Sequence, residues 1–112
     1  MNNAKVEGYL GLARRANYVL FGETALHNVP LGRIKLLIVA SDSSQNTMMD
    51  VARALADHPI ANYVYGTKES LAALFGKKAV AIIGIINDGL ARQLKIELED
   101  SHDAKEKSIP KK

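Results

Sequence analysis

Ile34-Lys35-Leu36-Leu37-Ile38-Val39-Ala40, followed at once by Ser41-Asp42-Ser43-Ser44-Gln45-Asn46-Thr47, is the stretch from which the fold can be read. The first part is almost continuously apolar, the pattern of a strand buried on both faces. The second is rich in side-chain oxygens that cap helices. Met48, Val51, Ala52, Leu55 and Ala56 then form a helical stripe, ended by His58-Pro59.

Outward from that unit, the same alternation repeats. Ala61-Asn62-Tyr63-Val64-Tyr65 reads as a second strand, and Thr67 caps a short helix through Leu74 that Gly76 ends. Val80 to Ile86 is a third apolar strand, and Asn87-Asp88 caps a last helix through Leu98. Toward the N-terminus, Val6, Tyr9, Leu10, Ala13 and Ala16 keep helical spacing. Tyr18-Val19-Leu20 reads as a brief strand, and a short helix starts near Gly22 and stops at Pro30. Strands separated by helices require crossovers, hence a largely parallel or mixed sheet covered on both faces. The expectation is an α/β fold: a three-layer α/β/α sandwich on a mixed four-stranded sheet. It comprises one domain over residues 1–98 and a charged, disordered tail over 99–112.

With 112 residues, the chain is long enough for one domain and one core. It has no cysteine, which removes disulfides, thiol nucleophiles and thiolate metal sites. The longest apolar run, Ala79 to Ile86, is too short to cross a bilayer. The first residues lack the apolar stretch of a signal peptide. A cytoplasmic protein with no membrane partner is expected. The formal charge is +3, and the tail is neutral because Lys105, Lys107, Lys111 and Lys112 balance Glu99, Asp100, Asp103 and Glu106. The basic excess therefore belongs to the folded body, where it favours an anionic partner.

Catalytic signatures are missing. The three histidines, His27, His58 and His102, show no metal-site spacing, and neither a G-x-S-x-G elbow nor a phosphate loop occurs. Ala40 to Ser44 lies at the carboxyl end of a buried strand, where open sheets place ligands. Its hydroxyls and amides suit either a phosphate or simple helix capping. No enzyme, metal or cofactor is expected. The cations Arg14, Arg15, Arg33, Lys35, Lys77 and Lys78 fall near strand ends and loops. Lys35 is the only charge within an apolar strand, so its ammonium must reach solvent, a carboxylate or a ligand phosphate. The aromatics do not form the adjacent stacking pattern of a sheet that binds single strands.

The order of motifs carries a resemblance. Gly11-Leu12-Ala13-Arg14-Arg15-Ala16, Gly22-Glu23, Lys35 to Asp42, Asn46-Thr47, Gly66-Thr67-Lys68-Glu69-Ser70-Leu71 and Gly76-Lys77-Lys78 together resemble the bacterial YlxQ-type proteins. These belong to the ribosomal-protein superfamily named for L-seven-Ae and L-thirty-e. The resemblance spans residues 5–98 and implies a monomeric binder of structured RNA, a kink-turn or related internal loop. Its partners would be ribosomal or other non-coding RNA, with the ribosome or translation factors nearby. It places the RNA on Gly22, Glu23 and Thr24, on the following strand and loop at Lys35, Ser41 and Asp42, and on Lys77, Lys78, Ala79 and Val80. Between Gly22 and Lys35 the chain is one residue short of the family pattern. The helix lysine that touches guanine in many members therefore falls on Asn28 counting forward or on His27 counting back. The alternative is a protein-interaction module on the same fold, without RNA.

Overall fold

Apolar residues at helical spacing along Ala4–Ala16 form α1, which buries Val6, Leu10 and Ala13. The computed structural model of the chain describes residues 4–100 and 105–106. Beyond α1 come β1 (Val19–Phe21), α2 (Gly22–Asn28), β2 (Leu36–Val39), α3 (Gln45–Asp57) and β3 (Ala61–Val64). α4 (Lys68–Phe75), β4 (Ile82–Ile85), α5 (Asp88–Asp100) and the two-residue β5 (Lys105–Glu106) complete the chain. The caps expected from sequence are in place. Thr67 and Ser70 form a reciprocal capping box on α4, and Gly76 ends that helix in the left-handed region at φ 66°. Asn87 Oδ1 accepts from the Leu90 N–H at 2.8 Å, at the start of α5.

β2 is buried along its whole length, and its alternate residues feed two separate cores. Leu36 and Ile38 face α1, α4 and α5 in a cluster with Leu10, Leu71 and Leu94. Leu37 and Val39 face α2 and α3, in a cluster with Ala25, Val29 and Val51. The result is the expected α/β/α sandwich. The sheet order is β1-β4-β2-β3-β5. Its four-stranded mixed part is extended by β5, which pairs antiparallel with β3.

Among the described strands, β2 and β3 form the one parallel pair. β1 runs in the same direction as both, since α2 and α3 each return the chain to the opposite edge, but β4 lies between β1 and β2. β4 is antiparallel to both β2 and β1. The reason lies in α4. The Val80 N–H donates to the Lys68 carbonyl at 3.2 Å, so the chain leaves this unit at the end where it entered. β4 must then run in the opposite direction to β3.

The stretch expected as a tail begins inside α5. Glu99 Oε2 accepts a 2.8 Å hydrogen bond from the hydroxyl of the buried Tyr63. Most of the remaining tail, 101–104 and 107–112, lies outside the described residues.

Gly84 sets how closely α2 sits on the sheet. It stands opposite Leu20 on one side and Leu37 on the other. A Cβ there would lie 3.1 Å from the Ala25 Cβ and 2.9 Å from Ile34 Cδ1. The Ile34 methyl can swing aside, whereas Ala25 moves only with its helix. Gly84→Ala is expected to overpack this contact and cost about 1–2 kcal/mol of stability. A urea titration checks it, and an unchanged midpoint would show that α2 has slack against β4.

Candidate nucleic-acid interface

β1 delivers the chain to the edge of the sheet where β2 ends and β4 begins, here the upper edge. Phe21, in extended conformation, occupies the cap position of α2 without a side-chain capping bond. Gly22 then opens the helix at φ 59°, in the left-handed region that suits glycine. A Cβ on Gly22 would meet no atom within 4 Å, so the space over it is open. Glu23 and Thr24 are exposed on the first turn.

Lys77 reaches the same corner through aromatic contacts. The Phe21 and Phe75 rings meet edge to face at a centroid distance of 4.9 Å. Lys77 Nζ lies 4.7 Å from the centroid of the Phe21 ring, a cation–π contact that holds the ammonium beside the start of α2. Arg14, from the last turn of α1, donates to the Leu74 carbonyl at 3.3 Å. Its other terminal nitrogen would lie 3.4 Å from a Cβ on Gly76. Lys78 and Ala79 are exposed, while Val80 is buried and anchors the loop through its bond to Lys68. Lys77 thus stands beside Phe21 at the start of α2, Lys78 and Ala79 follow it in the same loop, and Arg14 braces the end of α4 just before them.

Ser41 and Asp42 lie on this edge too. The Ala40 N–H donates to the Ala81 carbonyl at 2.8 Å and the Ser41 N–H to the Gly66 carbonyl at 2.8 Å. Asp42 Oδ1 accepts from the Lys68 N–H at 2.8 Å, satisfying one of the free amides at the start of α4. The carboxylate therefore holds the helix that delivers Lys77 and Lys78, and Ser41 remains exposed.

Three of the sequence-derived residues are not brought to this corner. His27 is exposed one helical turn beyond Glu23, in a groove between α2 and α3 that Glu23 also lines, beside Asp50, Arg53 and His58. Asn28 ends α2 with both amide atoms engaged, donating to the Thr24 carbonyl at 2.8 Å and accepting from Arg33 at 3.2 Å. Lys35 precedes β2 and so lies at the lower edge, where its N–H donates to the Ile85 carbonyl at 2.7 Å. The backbone between Lys35 and Ser41 spans about 20 Å at strand rise. Arg14, Phe21 and Phe75 are the members of the corner that reading the sequence did not place there. Their contacts join residues far apart in the chain and leave no local signal. Among the described residues, no group of three or more histidine, aspartate or glutamate side chains is placed to hold a metal. No helix among them is long and apolar enough to cross a membrane.

The layers and their upper corner define a small α/β/α domain with a cation held beside an open helix start. Residues 4–95 match the sequence model of the "Ribosomal protein L7Ae/L30e/S12e/Gadd45 family", and the chain belongs to that family. Among solved structures it is similar to a protein with unknown function from Bacillus halodurans, at 30% identity and a TM-score of 0.81. That match covers 87% of this chain and 99% of the other. It is also similar to a Giardia lamblia 15.5kD RNA binding protein, at 17% identity and a TM-score of 0.73, covering 89% of each chain. The second likeness is one of fold. No curated protein sequence matches the chain.

Asp42→Ala removes the acceptor for the Lys68 amide and is expected to lower stability by about 1 kcal/mol. Chemical denaturation reads the loss. A variant as stable as the parent would mean that water replaces the carboxylate without cost, leaving α4 to be positioned by its packing alone.

Proposed function

We propose that this chain is a non-catalytic RNA-binding protein of the YlxQ type, seated on a kink-turn or related internal loop and associated with the ribosome or translation. The observation that carries the reading is Lys77 held over the Phe21 ring beside the open start of α2, with Arg14 bracing the end of α4 that precedes it. Family membership supports RNA as the ligand, and so does the likeness to the Giardia lamblia RNA binding protein.

The corner suits a phosphate backbone. Arg14, Lys77 and Lys78 supply fixed positive charge from two different elements, and binding phosphates there releases counterions. Gly22 adds close backbone approach, and the first amides of α2 add donors that no side chain caps. The charge that other members carry within this helix is absent at both candidate positions. Asn28 is neutral and held by its neighbours, and His27 opens toward α3. In this chain the Lys77-Lys78 loop supplies it. Glu23 accepts from the amino group of a guanine, a role open to a carboxylate at an exposed helix start. Ser41 completes the edge with a hydroxyl, while Asp42 acts through α4. The protein works as a monomer in the cytoplasm, with no cofactor.

Retention of a kink-turn hairpin, compared with a fully paired hairpin of equal length, tests the reading. Lys77→Glu with Lys78→Glu is expected to weaken retention by about tenfold or more at low salt, with a smaller difference as salt rises. The same reversal at Lys107 and Lys111, in the C-terminal stretch, alters net charge equally and should cost far less. Equal losses from both pairs would reduce the attraction to diffuse charge and remove the upper edge as the site.

A further inference from the structure

The lower edge of the sheet carries a second, separate gathering of cations. Two adjoining clefts of about 500 and 440 Å³ open there and share Gly32 and Lys35 in their walls. The first adds Arg33 and Asn28, and the second adds Arg92, Lys95 and Asp88. Four cations from two segments of chain thus face a single carboxylate. Asp88 is a weak counterweight: it lies 4.0 Å from Lys35 Nζ, and its side chain is 74% exposed. Arg33, Arg92 and Lys95 are exposed as well, and among the described residues neither Arg92 nor Lys95 forms an ion pair.

The cations are held apart by a braced loop. Residues 29–35 are closed by the Gly32 N–H donating to the Val29 carbonyl at 3.0 Å and the Arg33 N–H to the Asn28 carbonyl at 3.3 Å. Asn28 Oδ1 accepts from the Arg33 guanidinium, fixing it on the α2 side. Lys35 Nζ donates to the Gly32 carbonyl at 3.1 Å, which turns the ammonium toward α5. Arg92 and Lys95, one helical turn apart, line the other side of the same cleft. Charges spaced around two open clefts suit a string of phosphates better than a single small anion.

We infer that the lower edge is a second contact for RNA backbone, so that one molecule joins two RNA segments at opposite edges of the sheet. The choice of RNA as the ligand rests on the function proposed above; the position of the second contact does not. Lys35 belongs to this lower contact and not to the upper corner.

The test uses two probes, the kink-turn hairpin and a short, fully paired RNA duplex, on the full chain. Protein carrying Lys77→Glu and Lys78→Glu, with its lower edge intact, is expected to retain the duplex at about 50 mM salt and release it near 200 mM. Adding Arg92→Glu and Lys95→Glu to that background should weaken duplex retention by about tenfold. Arg92→Glu with Lys95→Glu alone should weaken hairpin retention far less than the Lys77 and Lys78 reversal does, because the upper corner is untouched. Both side chains are exposed, and the uncharged pair Arg92→Gln and Lys95→Gln, with melting curves alongside, separates lost binding from lost folding.

Duplex retention that ignores the lower substitutions overturns the inference and leaves the upper corner standing. Hairpin loss from Arg92→Glu and Lys95→Glu as large as that from the Lys77 and Lys78 reversal also overturns it, by making the two edges one site. Polyglutamate displacing the duplex from the lower edge at lower concentration than unlabelled duplex would assign the edge to an acidic protein and overturn it as well. A wild-type protein that holds the duplex but does not prefer the kink-turn hairpin defeats the upper reading while supporting the lower contact.

Discussion

The antiparallel pairing of β2 with β4 governs what meets at each end of this molecule. Leu36 stands opposite Ile85 and Val39 opposite Ile82, so the loop before β4 lies where β2 ends and the loop after β4 lies where β2 begins. β1, antiparallel to β4 on its other side, then has to discharge α2 at the upper edge. Were β4 reversed, Lys77 and Lys78 would move to the end that holds Lys35, and α2 would start with no cation beside it. Main-chain ladder bonds between the central strands thus decide the electrostatics of both edges. The buried side chains of β2 fix the register, because a one-residue slip would exchange its two cores.

Around that pairing, small groups set the positions of charged ones. Gly84 lets Ala25 of α2 close onto the sheet. Phe75, the last residue of α4, carries its ring against Phe21 and brings Lys77 over the latter's face. Asp42, an acid that looks out of place on a basic edge, secures the other end of α4. At the lower edge, Asn28 and the Gly32 carbonyl do the same for Arg33 and Lys35. A net charge of only +3 becomes two concentrated surfaces because the fold places its cations at the ends of the strands.

The elements themselves were legible because their causes are local. A helical stripe, a doubly buried apolar run, a capping threonine and a glycine that ends a helix act within a few residues. Thr67, Gly76 and Asn87 do in the structure what their positions in the chain suggest. The glycine at the start of α2 and the adjacent lysines before β4 were visible as short-range features. Their pairing on one edge came from the family resemblance and the placement of both loops at strand ends. The direction of β4 was not legible, because it turns on a hydrogen bond between Val80 and Lys68 across an intervening helix. Nor did the chain declare that Arg14 reaches Leu74, a contact between helices with no periodic trace.

By itself, the sequence determined the five helices, the four strands from β1 to β4 and the doubly covered sheet, while β5 and the extension of α5 through Glu99 and Asp100 were not read from it. Apolar periodicity and capping chemistry are properties of neighbouring residues, and they survive without knowledge of the rest of the chain. Only the tertiary structure decided that Lys77 joins Gly22 while Lys35 is carried to the far edge with Arg92 and Lys95. Those assignments depend on strand order and direction, which come from burying both faces of β2 at once. No local stretch of the chain carries that constraint.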